Sequence, residues 1–186
     1  DKGYQAPGDR THIQVLVNPA TWDEDVAALE PGSVVIWNSD TKGKTVERED
    51  VFSYPVPMSS LARKINPKIA KLVTNIVYVG VLAELLGIDQ EKLESAVAKQ
   101  FKGKTSAIEL NITALGLGRD YCKESLTKGD PYTVHAREID APQFFIEGNE
   151  AAALGAHYGG VQLLAWYPIT PSSSMAEGII AYIPRL

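Results

Sequence analysis

Thr170 lies between Pro168 and Pro171 in the run Tyr167 to Ser174, YPITPSSS, where prolines leave the backbone little freedom. Each proline fixes its own φ and biases the residue before it toward extended geometry. A hydroxyl on such a spur can give one hydrogen bond to an anion. If a helix starts at Ser172, free amides near Ser172, Ser173 and Ser174 would add the positive end of a dipole. A carboxylate or phosphate is the guest that suits this chemistry. The same letters also describe an ordinary helix start, in which Ser172 only caps.

The other reactive side chains do not group. His12, His135 and His157 are scattered, with no two at ligand spacing, so no metal site is expected. Cys122 is the only cysteine, which excludes an intrachain disulfide and an iron–sulfur cluster held by this chain alone. Arg119 and Lys123 flank it and favour a thiolate, yet an inert thiol is the expectation. The glycines between Gly148 and Gly160 do not fit G-x-G-x-x-G, and dinucleotide binding is not expected. Their small face, Ala152, Gly155, Ala156 and Gly159, is expected to pack closely on a sheet or a partner. Asn111-Ile112-Thr113 matches a glycosylation acceptor, but nothing else points to secretion.

The elements that must position Thr170 follow from periodicity. His12 to Asn18, Ser33 to Asn38 and Phe52 to Pro57 read as strands, the last at an edge or irregular because of its prolines. Thr21 reads as an N-cap in capping-box spacing with Glu24, for a helix running to Leu29. Ser59 or Ser60 caps a short helix toward Ile65. Ile69 to Leu86 is a largely buried helix with one wet stripe, and Gly87 is its C-cap. Asp89 begins a helix over Gln90 to Phe101, and Ser106 to Leu117 is one more. Gly118 to Pro142 is polar and aperiodic, an expected interdomain linker. Beyond it, Gln143–Ile146 and Leu163–Trp166 read as strands, and Asn149–Gly159 and Ser172–Tyr182 as helices. That βαβα order predicts a parallel sheet with right-handed crossovers, an α/β fold, and Tyr167 to Ser174 falls beyond a strand's carboxyl end, where such sheets bind ligands.

The bulk numbers fit this picture. The chain has 186 residues, 45% of them hydrophobic and 22% charged, and a net charge of −5. Mixed charges without a concentrated basic face argue against general nucleic-acid or anionic-membrane binding. The greasiest stretch, Ile69 to Ile88, is interrupted by Lys71, Thr74, Asn75 and Glu84, so no membrane span is expected. A single cysteine suits a reducing, cytoplasmic setting. The chain opens without methionine and ends on a helix turning toward a further strand, so a fragment is expected.

GNEAAALGA, the apolar run after it and YPITPSS closely resemble the start of the pyrimidine-binding domain of the 2-oxoacid:ferredoxin oxidoreductases. LVNPATWDEDVAALEPGSVVIWNSD and VYVGVLAELLGID…FKGK are similar to that family's gamma domain. The resemblance implies a three-layer α/β/α gamma-type domain over residues 1–117, lacking its N-terminal part. A linker over 118–142 follows, and then the first βαβα of a thiamine-diphosphate pyrimidine-binding domain over 143–186, truncated. It implies oxidative decarboxylation of a 2-oxoacid, of 2-oxoglutarate or pyruvate type, to acyl-CoA and CO2, with electrons passing to ferredoxin. Thr170 would bond the substrate carboxylate, and Tyr167, Pro168 and Ile169 would line the cofactor pocket. Thiamine diphosphate would be shared with a beta subunit that carries Mg2+ and a 4Fe-4S cluster, coenzyme A would be a substrate, and an (alpha-beta)2 assembly is implied. The glutamate that activates the aminopyrimidine lies beyond this chain in that family, and neither Glu150 nor Glu177 stands in its motif. Gly129-Asp130-Pro131 does not replace the magnesium motif, so the fragment is expected to be inactive alone. The other reading is a non-catalytic scaffold or partner-docking module.

Overall fold

The computed structural model describes residues 8–136 and 146–183, which divide into two compact units, 1–136 and 137–186. The first holds strands β1 (Ile13–Leu16), β2 (Val34–Asn38) and β3 (Phe52–Val56) with helices α1 (Trp22–Ala27), α2 (Met58–Ile65), α3 (Ala70–Leu86), α4 (Gln90–Phe101) and α5 (Thr105–Ser125). The strands pair in parallel in the order β1-β2-β3, with Val34 opposite Ile13 on one side and Phe52 on the other. All five residues of β2 are buried, as expected for a central parallel strand covered on both faces.

Alternation along β2 sends side chains into two cores. Val34 and Ile36 join Tyr54, Val56 and the apolar faces of α2, α3 and α5. Val35 and Trp37 meet Leu16, Trp22, Leu29 and Val46 on the opposite face. There the Trp22 and Trp37 rings meet edge to face, 5.9 Å apart. The sheet is thus flanked by helices. Pro55 sits in β3, which has no partner on its outer side among the described residues, the position a strand proline tolerates.

Helix ends follow the sequence in part. Gly87 closes α3 at φ 71°, and the Asp89 side chain accepts from the Lys92 amide to start α4. At α1, however, Thr21 makes no side-chain cap; its hydroxyl donates to the Asp25 carboxylate at 2.7 Å, and the helix ends at Ala27. Neither Ser59 nor Ser60 precedes α2, which begins at Met58. Asp40 reaches over to accept from both the amide (2.6 Å) and the hydroxyl (2.8 Å) of Ser60, putting a carboxylate at the helix's positive end.

The largest departure is α5, which continues through the expected start of the linker to Ser125. Gly118 looked like a helix stop, but its role is contact. A Cβ there would lie 2.0 Å from the Val77 carbonyl oxygen, and one on Gly80 would lie 2.2 Å from that of Leu115. Two glycines let α3 and α5 meet backbone to backbone. Past α5 the chain stays on the same unit. Val134 donates its amide to Leu86 (2.9 Å), and Tyr132 donates its hydroxyl to Gly32 (3.2 Å).

Asp130 anchors this return. It is buried, and its carboxylate accepts from the Tyr54 hydroxyl (2.6 Å), the Lys128 ammonium (2.7 Å) and the Tyr132 amide (2.9 Å). Burial pushes its pKa up, but the bonds from Lys128, Tyr54 and Tyr132 outweigh it, and the net shift is downward. A lowered carboxylate pKa stabilises the fold above the unfolded value of about 3.9 and loses that contribution as pH falls through the folded value. Asp130→Asn is therefore expected to cost about 1–3 kcal/mol in urea melts at pH 7. The gap to the parent should narrow at pH 3, and an equal gap at both would contradict this account.

In the second unit, α6 (Gly148–Tyr158) packs on α7 (Ser172–Tyr182), burying Ala153, Ala176 and Ile179. The close approach is at Gly178, where a Cβ would meet that of Ala153 at 2.9 Å. The predicted small face takes no part in the α6–α7 contact, since Ala152 and Gly155 are exposed in this unit. Leu163–Trp166 is not a strand: no described neighbour in this unit offers it a ladder, and Leu163 is 84% exposed. The expected strand Gln143–Ile146 lies outside the described residues except for Ile146.

Candidate substrate-anion site

Thr170 is exposed and occupies the bend just before α7, with a cis bond to Pro171. The bend is held on both sides. The Ser172 hydroxyl donates to the carbonyls of Ile169 (2.7 Å) and Tyr167 (3.1 Å). The Asn149 side chain, at the start of α6, donates to the Pro171 carbonyl (2.9 Å) and the Ser174 hydroxyl (2.7 Å). Ser174 in turn donates to Pro171 (3.0 Å). These bonds engage the carbonyls around Thr170 and leave its hydroxyl without a partner among the described residues.

A shallow cavity of about 240 Å³ is lined by Thr170, Pro171, Ser173, Ser174 and Glu177. The amides of Ser172 and Ser173 are not bare, as the sequence suggested, because both donate to the Ile169 carbonyl. Attraction for an anion therefore rests on the Thr170 hydroxyl and the positive end of α7. Glu177 opposes it. A neighbouring cavity of about 360 Å³ adds Glu147 and Glu150 to the negative side, with Glu150 accepting from Tyr182 at 2.8 Å. Asn149 was not singled out from sequence. Its only signal was a polar amide at a helix start, in Gly148-Asn149-Glu150.

Tyr167, Pro168 and Ile169 do not share the Thr170 cavity. They form an exposed apolar run with Leu163 and Trp166; Tyr167 is 79% and Ile169 60% exposed. An exposed apolar run of this kind has the chemistry on which an aromatic ring can pack. No group of three metal-ligating side chains occurs among the described residues. Cys122 is buried, and its thiol is pushed up to about 11 by burial first and by Glu84 second, against the pull of Lys128, Arg119 and Lys123. It is no nucleophile at neutral pH. No single described helix is both long and apolar enough to cross a membrane.

Comparison with known proteins bears on all of this. The family model described as pyruvate ferredoxin/flavodoxin oxidoreductase matches residues 1–121. The chain is 27% identical over 121 residues to the 2-oxoacid:ferredoxin oxidoreductase 2 alpha subunit of Aeropyrum pernix, covering 64% of this chain and 19% of that one. It is 27% identical over 194 residues to the 2-oxoglutarate oxidoreductase subunit KorA of Mycobacterium tuberculosis, covering 90% and 30%. The solved 2-oxoglutarate:ferredoxin oxidoreductase from Magnetococcus marinus, with 2-oxoglutarate, coenzyme A and succinyl-CoA bound, superposes with a TM-score of 0.82 at 28% identity. That match covers 96% of this chain and 31% of the other. The chain thus spans between about a fifth and a third of the length of these relatives.

Proposed function

The chain belongs to the pyruvate ferredoxin/flavodoxin oxidoreductase family, and from that premise we propose that it works as part of the alpha subunit of a 2-oxoacid:ferredoxin oxidoreductase. The reaction joins a 2-oxoacid and coenzyme A into an acyl-CoA, releases CO2, and passes electrons one at a time to ferredoxin. In this reading the first unit is the gamma-type domain and the second begins the pyrimidine-binding domain, with an (alpha-beta)2 assembly completing the site. Thiamine diphosphate, when bound, supplies the carbanion chemistry that carries decarboxylation.

The observation that carries this reading is the exposed hydroxyl of Thr170, without a partner among the described residues, on a bend tied down by Ser172 and Asn149. It can hold the substrate's carboxylate by a charge-assisted bond in a fixed direction. Tyr167, Pro168 and Ile169 offer the apolar wall on which the cofactor rings rest. Mg2+ and the 4Fe-4S cluster belong to the beta subunit. Glu147, Glu150 and Glu177 favour the rival reading of a docking module, since their charge repels an anion unless a partner offsets it.

Calorimetry separates the two. Titrating thiamine diphosphate with Mg2+ into the full-length alpha subunit alone should give no heat of binding. The complex with its beta-type subunit should give saturable binding and coenzyme-A-dependent reduction of methyl viologen by a 2-oxoacid. A reconstituted complex that binds the cofactor nowhere, or turns over no 2-oxoacid, would leave the docking module standing.

A further inference from the structure

Past α5, residues 126–136 run without helix or strand, yet the first unit holds them at successive points. The Tyr54 hydroxyl, in β3, donates to the Asp130 carboxylate (2.6 Å) and accepts from the amides of Gly129 (2.9 Å) and Asp130 (3.3 Å). Lys128 ties the segment to itself, donating to that carboxylate (2.7 Å) and to the Tyr132 carbonyl (2.8 Å). Tyr132 then reaches Gly32, just before β2, and sets its ring edge-on to that of His12, just before β1, with centroids 5.7 Å apart. Val134 donates its amide to Leu86, the last residue of α3. The segment is a strap laid across the sheet, from β3 toward the start of β1.

What holds the strap differs from what holds the unit beneath it. Within 126–136 Asp130 alone is buried; Leu126 and Tyr132 are half-buried, and the rest are exposed. α3 and α5, by contrast, share a packed core and the close approach at Gly80 and Gly118. Segments with few buried apolar contacts, and with hydrogen bonds near solvent, open at a fraction of the free energy that the core requires. The clasp is also concentrated. One phenol and one carboxylate engage the amides of Gly129, Asp130 and Tyr132 and the Lys128 ammonium, so its loss frees several bonds together.

A cavity of about 210 Å³ lies at one end of the strap, lined by Glu84 and Leu85 of α3, Cys122 and Lys123 of α5, and Leu126 and Lys128 of the strap itself. We propose that residues 126–136 form a latch: they lift as one block when the Tyr54–Asp130 clasp breaks, while the sheet and helices stay folded, and they uncover the cavity beside Cys122. Two things follow for the chain. The buried thiol meets solvent only while the latch is open. The tether that leads to the second unit lengthens on opening, since a freed, extended chain spans about 3.3–3.6 Å per residue. The first unit can thus release or take up slack at its carboxyl end without unfolding.

Hydrogen exchange of the full-length subunit in its assembled complex, read peptide by peptide in a mass spectrometer, tests this. In the parent, amides of the strap should be protected, but at least roughly a hundredfold less than those of α3 and α5. Tyr54→Phe keeps the ring and removes the clasp. It should speed exchange across the strap by about tenfold to a hundredfold and leave α3 and α5 within about twofold. Labelling of Cys122 by iodoacetamide should rise in step with the strap. Tyr132→Phe loses only the bond to Gly32, a milder change, and should speed the whole strap, Gly129 included, by a few-fold. Strap amides as slow as those of α3 and α5, or unprotected in the parent, would overturn the proposal. So would a Tyr54→Phe variant that accelerates α3 and α5 as much as the strap, which would make the phenol a plain core group. A Cys122 that stays unlabelled while the strap exchanges faster would overturn it too, as would a Tyr132→Phe effect confined to residues 132–136, since the strap would then not lift as one.

Discussion

Thr170→Val in the assembled complex is expected to lower kcat/KM for the 2-oxoacid by about tenfold to a hundredfold, the effect of removing a hydrogen bond of about 1.5–3 kcal/mol to a charged group. Valine keeps the β-branch and the volume, so the bend built by Pro168, Pro171, Ser172 and Asn149 should survive. Thiamine-diphosphate affinity should be unchanged, because in the proposed reading the rings rest on Tyr167 to Ile169 and not on the hydroxyl. Thr170→Ser, which keeps the donor, should stay within a few-fold of the parent. The division between constants is informative. A rise in KM alone means the carboxylate is held equally throughout the reaction, and a fall in kcat means the grip tightens as CO2 departs. Parent-like kinetics in the valine variant would remove Thr170 from the site.

A second substitution should act on the fold. Gly118→Ala places a methyl group 2.0 Å from the Val77 carbonyl oxygen, and Gly80→Ala places one 2.2 Å from that of Leu115. Neither obstacle is a side chain that can swing away. The helices must separate, which opens the core around Val77, Val81 and Ala114. We expect each to cost about 3–5 kcal/mol, at the severe end for a single replacement. Gly116→Ala is the matched control, since it lies in the same helix as Gly118 with no atom of the described residues within 4 Å of the added carbon. It should be neutral or stabilise by up to about 1 kcal/mol. Urea melts of the three variants decide the matter, and equal midpoints would dismiss the steric argument.

How far the sequence alone reveals this architecture depends on whether a signal is local. β2 was readable because a short β-branched run bounded by Pro31-Gly32 and a polar loop suits a covered strand, and Gly87 and Asp89 because a helix end is a matter of a few residues. The far half of α5 was not. Its text from Gly118 to Ser125 is polar, and what makes it helical is distant: the bare backbone of α3 against Gly118, and Glu84, which pairs with Arg119 at 2.9 Å. Leu163–Trp166 failed for the converse reason. A strand is a property of a pair, and apolar letters cannot supply the partner. At the candidate site the prolines pointed to a stiff bend before α7. Which amides were already engaged, and that Asn149 reaches across from another helix, depended on folding.

The seam formed by Gly80 and Gly118 has a consequence for motion. Helices cushioned by long side chains can slide or breathe separately, but here each carbonyl fills the place a side chain would occupy on the other helix. Partial withdrawal forfeits contact along the whole seam at once. α3 and α5 should then exchange their amide protons with solvent through one shared opening event, as a single cooperative block.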